Sequence, residues 1–222
     1  MSLGLSQSTS RQIAESRFFS KVMTWLMFAF ASTAVGIVIL GPLVPAGLQM
    51  PLYFVALAVL LFSGFVRKAA PYLAGPLAIG IPAILGIIFY PLLNSYVNSG
   101  MGGILIEAAV GTAVVFGSMA LWGWTTKKDL SGWYKPMFFA VLGIIAISLL
   151  NIFVFRLGFL EIAIASAVLI AFSIYTVMDI QRLKIMDRNG STEHPGVMAL
   201  SIFLDIWNIF ASLLRILSIF NR

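Results

Sequence analysis

Three acidic residues lie inside long apolar stretches of the sequence, where a charged group is costly. They are Glu107, Asp179 and Asp205, while the other five of the eight acids fall in the N-terminal segment, in polar loops or near a helix end. An ionisable side chain inside a membrane costs roughly 2.5–3.5 kcal/mol on insertion scales, and it usually faces a protein interior or water. These three positions are therefore the first candidates for function.

Asp179 and Asp205 each lie on a polar stripe of an otherwise apolar helix. Small polar residues recur around each aspartate at spacings of three, four or seven, which places them on one helical face. We expect both faces to turn inward, so that these side chains surround the carboxylates. The stripes comprise Ser173 and Thr176 with Asp179, and Ser201, Asn208, Ser212 and Arg215 with Asp205.

The two aspartates are expected to come together across a pair of antiparallel helices. A short polar loop joins the helix of Asp179 to that of Asp205, which allows both acids to lie at a similar depth. Two carboxylates at close range in a low-dielectric site favour sharing one proton. This predicts a sensor of the cytoplasmic proton concentration. The spacing is equally compatible with the alternative that each aspartate separately satisfies a helix end or a serine cluster.

Two further charged residues could act with this aspartate pair. Arg67 lies at the predicted inner end of a span, where its guanidinium could latch an ionised carboxylate, although a cation there needs no role beyond setting orientation. Glu107 opens another span, where the helix dipole favours a carboxylate. Its oxygens could also form part of a path for a hard cation such as calcium. We prefer the capping role for Glu107.

The elements that must position these residues are membrane-spanning helices. The chain of 222 residues is 60% hydrophobic and only 10% charged, and a span needs about 20 mostly apolar residues. We predict an all-α integral membrane fold, with a polar cytoplasmic tail at 1–17 and a single domain of seven transmembrane helices at 18–222. The apolar runs cover 18–40, 51–66, 72–93, 103–124, 134–155, 159–180 and 197–219.

The basic residues predict the orientation of these spans. Of the 14 Lys and Arg residues, 11 lie in segments that share one side if the N-terminus is cytoplasmic. Cytoplasmic loops are enriched in these residues, so we predict a cytoplasmic N-terminus and a C-terminus outside. Because this placement accounts for the net charge of +6, we expect the lipid bilayer as a partner and no nucleic acid.

Enzymatic classes find little support in the residue content. The chain has no cysteine, and its single histidine, His194, lies in a polar loop. This argues against cysteine nucleophiles, a histidine-dependent serine protease within a span and a two-histidine metal helix. An aspartyl protease dyad is chemically comparable to the aspartate pair, but the glycine-rich setting of such a dyad is missing around both residues. We predict no enzymatic activity, no cofactor and no tightly bound metal.

Several segments together resemble the Bax inhibitor-1 family, also called the transmembrane Bax inhibitor motif family. They are similar to the family signature of the fourth span, the loop that follows it, and the aspartate motifs of the sixth and seventh spans. One departure is Tyr90 before Pro91, where many members have glycine. The matching segments are Ala108–Phe116, Lys127–Ser131, Asp179–Gln181, Ala199–Phe210 and Leu213–Leu217.

The resemblance implies a seven-helix bundle with the C-terminal helix at its centre. Bacterial relatives that have both aspartates behave as proton-regulated calcium leaks, and on the matching positions Asp179 and Asp205 correspond to the family's di-aspartyl sensor and Arg67 to its proposed latch. We therefore expect a pH-sensitive calcium leak channel of a bacterial inner membrane, with calcium permeating near the aspartate pair. The alternative is an interaction protein that modulates a membrane-bound protease or a cell-death or stress regulator without transport.

Overall fold

The described part of the chain is entirely helical. The computed structural model describes residues 2–45, 47–48, 51–52, 54–55, 58 and 71–221, with side chains described from Phe18 onward except at Pro71. Within these residues there is no strand, and short π and 3₁₀ turns join or extend the α-helices. The α-helices with full bounds are α1 (Ser2–Val35), α2 (Ala74–Asn98), α3 (Gly102–Thr125), α4 (Tyr134–Leu150), α5 (Gly158–Asn189) and α6 (Pro195–Phe220).

Six segments of the described chain are long and apolar enough to cross a membrane. The prediction of an all-helical membrane fold is confirmed to this extent. The predicted second span, 51–66, is only partly described: 51–52, 54–55 and 58 are helical, whereas 59–66 and Arg67 lie outside the described residues. The count of seven therefore stays a prediction. The six segments are Phe18–Leu43, Ala74–Asn98, Gly102–Thr125, Ser131–Phe155, Gly158–Asn189 and Pro195–Phe220.

Several helices extend beyond their predicted ends, because an apolar run marks the membrane-embedded part and not the whole helix. Helix α5 continues past residue 180 to Asn189, with Arg188 in its last turn, where the helix dipole favours a cation. Helix α2 continues to Asn98, past the predicted end at residue 93, and the chain turns near Gly100, which has a φ of 74°. Helix α1 begins at Ser2, so the predicted tail at 1–17 is helical from that residue.

The Cα positions group into two compact units, Met1–Val97 with Leu183–Phe203 and Asn98–Arg182 with Leu204–Arg222. In the first unit, α1 and the chain following it touch α2 through glycines. A Cβ on Gly36 would meet the carbonyl oxygen of Ala83, and a Cβ on Gly86 would meet the carbonyl oxygen of Thr33. Small residues allow this backbone approach between membrane helices.

Replacing Gly86 with alanine is expected to destabilise the protein, because the added Cβ meets backbone that cannot rotate away. Overpacking of this kind costs about 1–3 kcal/mol. The matched control is Gly80→Ala on the same helix, where no described residue lies within 4 Å of the added Cβ; it should stabilise the helix by up to about 1 kcal/mol. Unfolding midpoints in detergent measure both changes, and an equal effect of the two variants would contradict the close approach.

The last helix is the most buried of the six candidate spans. Half of the residues in its apolar window (50%) are buried, against 6–28% in the other five. Its largest fully buried side chains include Phe203, Ile209 and Leu214. High burial is the property expected of a central helix, and the central position of α6 stays a prediction implied by the family resemblance.

Candidate functional site

Asp179 and Asp205 both lie in the second compact unit, and both are almost completely buried. The exposed fraction is 2% for Asp179 on α5 and 3% for Asp205 on α6. The charge of Asp179 acts on the carboxylate of Asp205. The structure therefore brings the two predicted sensor residues within electrostatic range of each other, in surroundings that exclude water.

A tyrosine that was not predicted contacts this pair. The hydroxyl of Tyr134, the first residue of α4, donates a hydrogen bond of 2.8 Å to Oδ1 of Asp179. The charges of Arg182 and Asp205 also act on this hydroxyl. Tyr175, which lies one turn before Asp179 on α5, packs beside Tyr134, with the centroids of the two rings 6.4 Å apart. The site is thus built by α4, α5 and α6.

The two carboxylates differ in their hydrogen bonding. Asp179 accepts from Tyr134, whereas Oδ2 of Asp205 is buried and has no hydrogen-bond partner within the described residues. A buried polar atom without a partner loses its solvation and gains nothing in return, a cost of about 1–3 kcal/mol that is larger for a charged group. Ionisation of Asp205 in this arrangement is therefore expensive.

The loop between α3 and α4 is fastened to α5 by Gln181, two residues beyond Asp179. Its side-chain oxygen accepts from the backbone N–H of Leu130 at 3.0 Å, and its nitrogen donates to the carbonyl oxygen of Lys128. Within the loop, Asp129 accepts the backbone N–H of Ser131 at 2.9 Å, and this bond lowers the pKa of Asp129. These contacts fix the start of α4, and with it Tyr134.

A close approach of α3 also fixes the turn of α5 that carries Asp179. A Cβ on Gly123 would come within 2.5 Å of the carbonyl oxygen of Val177 and within 3.2 Å of Cβ of Ile180. These two residues flank Asp179 at two positions before it and one after it. Glycine at 123 therefore lets the α3 backbone hold the aspartate turn in place.

The chain matches a protein-family model over residues 15–222, and that family is described as "Inhibitor of apoptosis-promoting Bax1". The match covers nearly the whole sequence and includes both aspartates. The chain belongs to the Bax inhibitor-1 family. The resemblance seen in the sequence motifs is thereby confirmed.

The chain is also similar to several bacterial proteins. An uncharacterized protein of Deinococcus radiodurans is 31% identical over 211 residues, which cover 90% of this chain and 89% of the relative. An uncharacterized membrane protein of Streptococcus pyogenes is 30% identical over 198 residues, or 86% and 81% of the two chains. An uncharacterized protein of Campylobacter jejuni is 34% identical over 171 residues, or 77% and 71%. The description of the streptococcal protein agrees with a membrane location.

The polar side chains predicted to surround the pair are largely satisfied within their own helices. Ser173 donates to the carbonyl oxygen of Leu169 at 2.7 Å and Thr176 to that of Phe172 at 2.9 Å. Asn208 likewise donates to its own helix, to the carbonyl oxygen of Leu204, at 2.7 Å. Such bonds four residues back are common for short polar side chains inside helices. Ser212 is buried and Ser201 is half-buried.

The structure does not show the two other predicted charged residues, Arg67 and Glu107, acting with the aspartate pair. Arg67, the predicted latch, lies outside the described residues. Glu107 is exposed, and because α3 begins at Gly102 it lies beyond the first helical turn. The preferred capping role for Glu107 is therefore wrong, since the favourable end of the helix dipole is confined to that turn.

Arg215, which was placed on the same polar stripe as Asp205, forms an ion pair with Glu161 instead. The distance from its Nη2 to Oε2 of Glu161 is 2.9 Å, with about half of the arginine side chain (51%) exposed. Exposed pairs of this kind contribute about 0–1 kcal/mol. The pair joins the first turn of α5 to α6.

The sequence analysis did not identify two residues that take part in the site, Tyr134 and Gln181. Their chemistry is ordinary, and their partners lie 45 to 53 residues away. One signal was available: Tyr134 opens the predicted fifth span on the same predicted cytoplasmic side as Asp179. A polar residue at that depth was a candidate for contact with the pair.

Proposed function

We propose that this protein is a pH-sensitive calcium leak channel in which Asp179 and Asp205 sense the cytoplasmic proton concentration. The observation that carries the proposal is the burial of both carboxylates within range of each other's charge. The protonated pair favours a closed state. Loss of the shared proton leaves two like charges in one water-poor site, and α5 and α6 then rearrange to separate them.

Repulsion between two like charges at close range is of the size needed to drive a conformational change. Two unit charges about 5 Å apart interact by about 3 kcal/mol at an effective dielectric constant of about 20. A difference of about 1.4 kcal/mol already changes an equilibrium constant tenfold. Ionisation of the pair can therefore move a closed protein to a largely open one, provided that the open state separates the charges or admits water.

Calcium is proposed as the permeating ion because carboxylate oxygens are its preferred ligands. A tight calcium site uses about six to eight oxygens, and two carboxylates supply fewer. The pair is thus suited to brief contact with a passing ion and not to stable binding. We propose no catalytic role and no cofactor, and we place the protein in a bacterial inner membrane with its N-terminus in the cytoplasm.

The proposal is tested by reconstituting the purified protein into liposomes that contain a calcium-sensitive dye. Calcium uptake should exceed that of protein-free liposomes, and it should rise as the pH increases. A control with Gly80→Ala protein, whose added Cβ touches none of the described residues, should match the wild type. If the folded wild-type protein carries no calcium at any pH, the leak is rejected. The interaction protein without transport then becomes the better account.

A further inference from the structure

We propose that Tyr134 is a positioning residue that decides which member of the aspartate pair holds the proton. Its hydroxyl keeps Asp179 as the charged member and leaves the proton on Asp205. This inference deepens the proposed function, since it specifies how the sensor is set. It concerns the protonation of the pair, so it can be tested by a measurement that does not depend on calcium transport.

The geometry of the two carboxylates gives them different preferences. A hydrogen bond donated to a carboxylate favours its ionised form, and burial without a donor favours its neutral form. Asp179 accepts from Tyr134 at 2.8 Å. Oδ2 of Asp205 has no such donor among the described residues, although Asp205 is equally buried. The proton of the pair is therefore better placed on Asp205.

Among the described residues, the other groups that act on the pair are few and do not oppose this asymmetry. Helix α5 contributes Tyr175 and Arg182, α4 contributes Tyr134, and α6 contributes Asp205 itself. Helix α3 approaches through the backbone of Gly123. Arg182 lies three residues beyond Asp179 on α5, and its charge acts on the Tyr134 hydroxyl that donates to Asp179.

The position of Tyr134 depends on the loop that precedes it. Gln181 holds Lys128 and Leu130 through their backbone groups, and α4 begins four residues after Leu130. A change in this loop would move the tyrosine hydroxyl away from Asp179. The loop between α3 and α4 therefore controls which aspartate of the pair holds the proton, through the position of Tyr134.

The experiment compares Tyr134→Phe with Tyr175→Phe by infrared spectroscopy of the carboxyl stretching band during a pH titration. Subtracting the spectrum of the Asp179→Asn, Asp205→Asn double variant isolates the carboxyl bands of the pair. The Tyr134→Phe variant loses only the donor to Asp179. The infrared midpoint of the first deprotonation of the pair, which ionises Asp179, should therefore move up by about one pH unit. Tyr175→Phe should leave it within a few tenths of a unit of the wild type. The midpoint of calcium flux should move less, because it follows loss of the shared proton, and Asp179 is ionised both before and after that step.

The outcomes separate this inference from the proposed function. An unmoved infrared midpoint in Tyr134→Phe overturns the inference, as does a loss of thermal stability without any change of midpoint, which would indicate a purely structural role. If the infrared midpoint moves but the wild-type protein carries no calcium, the leak is wrong and the role of Tyr134 stands. Similar shifts in the two tyrosine variants would also overturn it.

Discussion

Calcium flux through the Asp205→Asn variant is expected to lose its dependence on pH. Asparagine has nearly the same shape as aspartate but cannot ionise, so the variant never places a second charge beside Asp179. The wild-type flux should change about tenfold or more as the pair titrates, because the repulsion exceeds the 1.4 kcal/mol that corresponds to a factor of ten. The variant should vary by less than about twofold. Flux into dye-loaded liposomes across a pH series measures both.

The control for this variant is Glu107→Gln, which also neutralises an acid within a membrane-spanning helix. Glu107 is exposed on α3, and it has no part in the proposed sensor. If the carboxylate lies on the cation path, its variant should carry a smaller flux, but the pH profile should keep its shape. A wild-type profile in Asp205→Asn would remove Asp205 from the sensor.

Replacing Asp205 with leucine is expected to stabilise the protein. Leucine branches at Cγ as aspartate does, and it needs no partner for the oxygen that Asp205 leaves unsatisfied. Exchanging buried charged groups for apolar ones of similar volume is often neutral or stabilising by about 1–4 kcal/mol. The gain should increase with pH, because only the wild-type protein must then hold a second buried charge. Unfolding in detergent at a mildly acidic and a mildly alkaline pH measures the difference.

Replacing Asp129 provides a control, because its ionised form is expected to stabilise the fold, whereas ionisation of Asp205 is expected to destabilise it. Its pKa is lowered in the folded protein by the backbone N–H of Ser131, so its ionised form stabilises the fold above the usual range of a carboxyl group. This contribution is lost as the pH falls through the lowered pKa. Asp129→Asn should therefore be slightly destabilising at neutral pH and neutral in strong acid.

If Asp205→Leu is less stable than the wild type at every pH, the proposed cost of the buried carboxylate is wrong.

The sequence predicted the membrane fold and the aspartate pair because both depend on patterns within one helix. An acid inside an apolar run is costly wherever the helix packs, so Asp179 and Asp205 were distinctive without any structure. Their approach followed from the short loop between two antiparallel helices. Helix ends were less accurate, since polar residues such as Arg188 continue a helix beyond the membrane without leaving an apolar signal.

The remaining features depend on contacts between distant parts of the chain. The hydrogen bond from Tyr134 to Asp179 joins residues 45 apart in sequence, and periodicity contains no information about it. The stripe around Asp205 was misleading for Arg215, because its long side chain reaches Glu161. Gly123 was one of 19 glycines, and only the packing of α3 against α5 distinguishes it.

The most direct test of the central claim is calcium uptake into liposomes between about pH 5 and pH 8, recorded for the wild type beside the Asp179→Asn, Asp205→Asn double variant. The pair is the only part of the protein that this variant changes. The account predicts a flux that rises with pH in the wild type and is absent or independent of pH in the variant. A flux with the same pH dependence in both proteins would contradict the assignment of the sensor to Asp179 and Asp205.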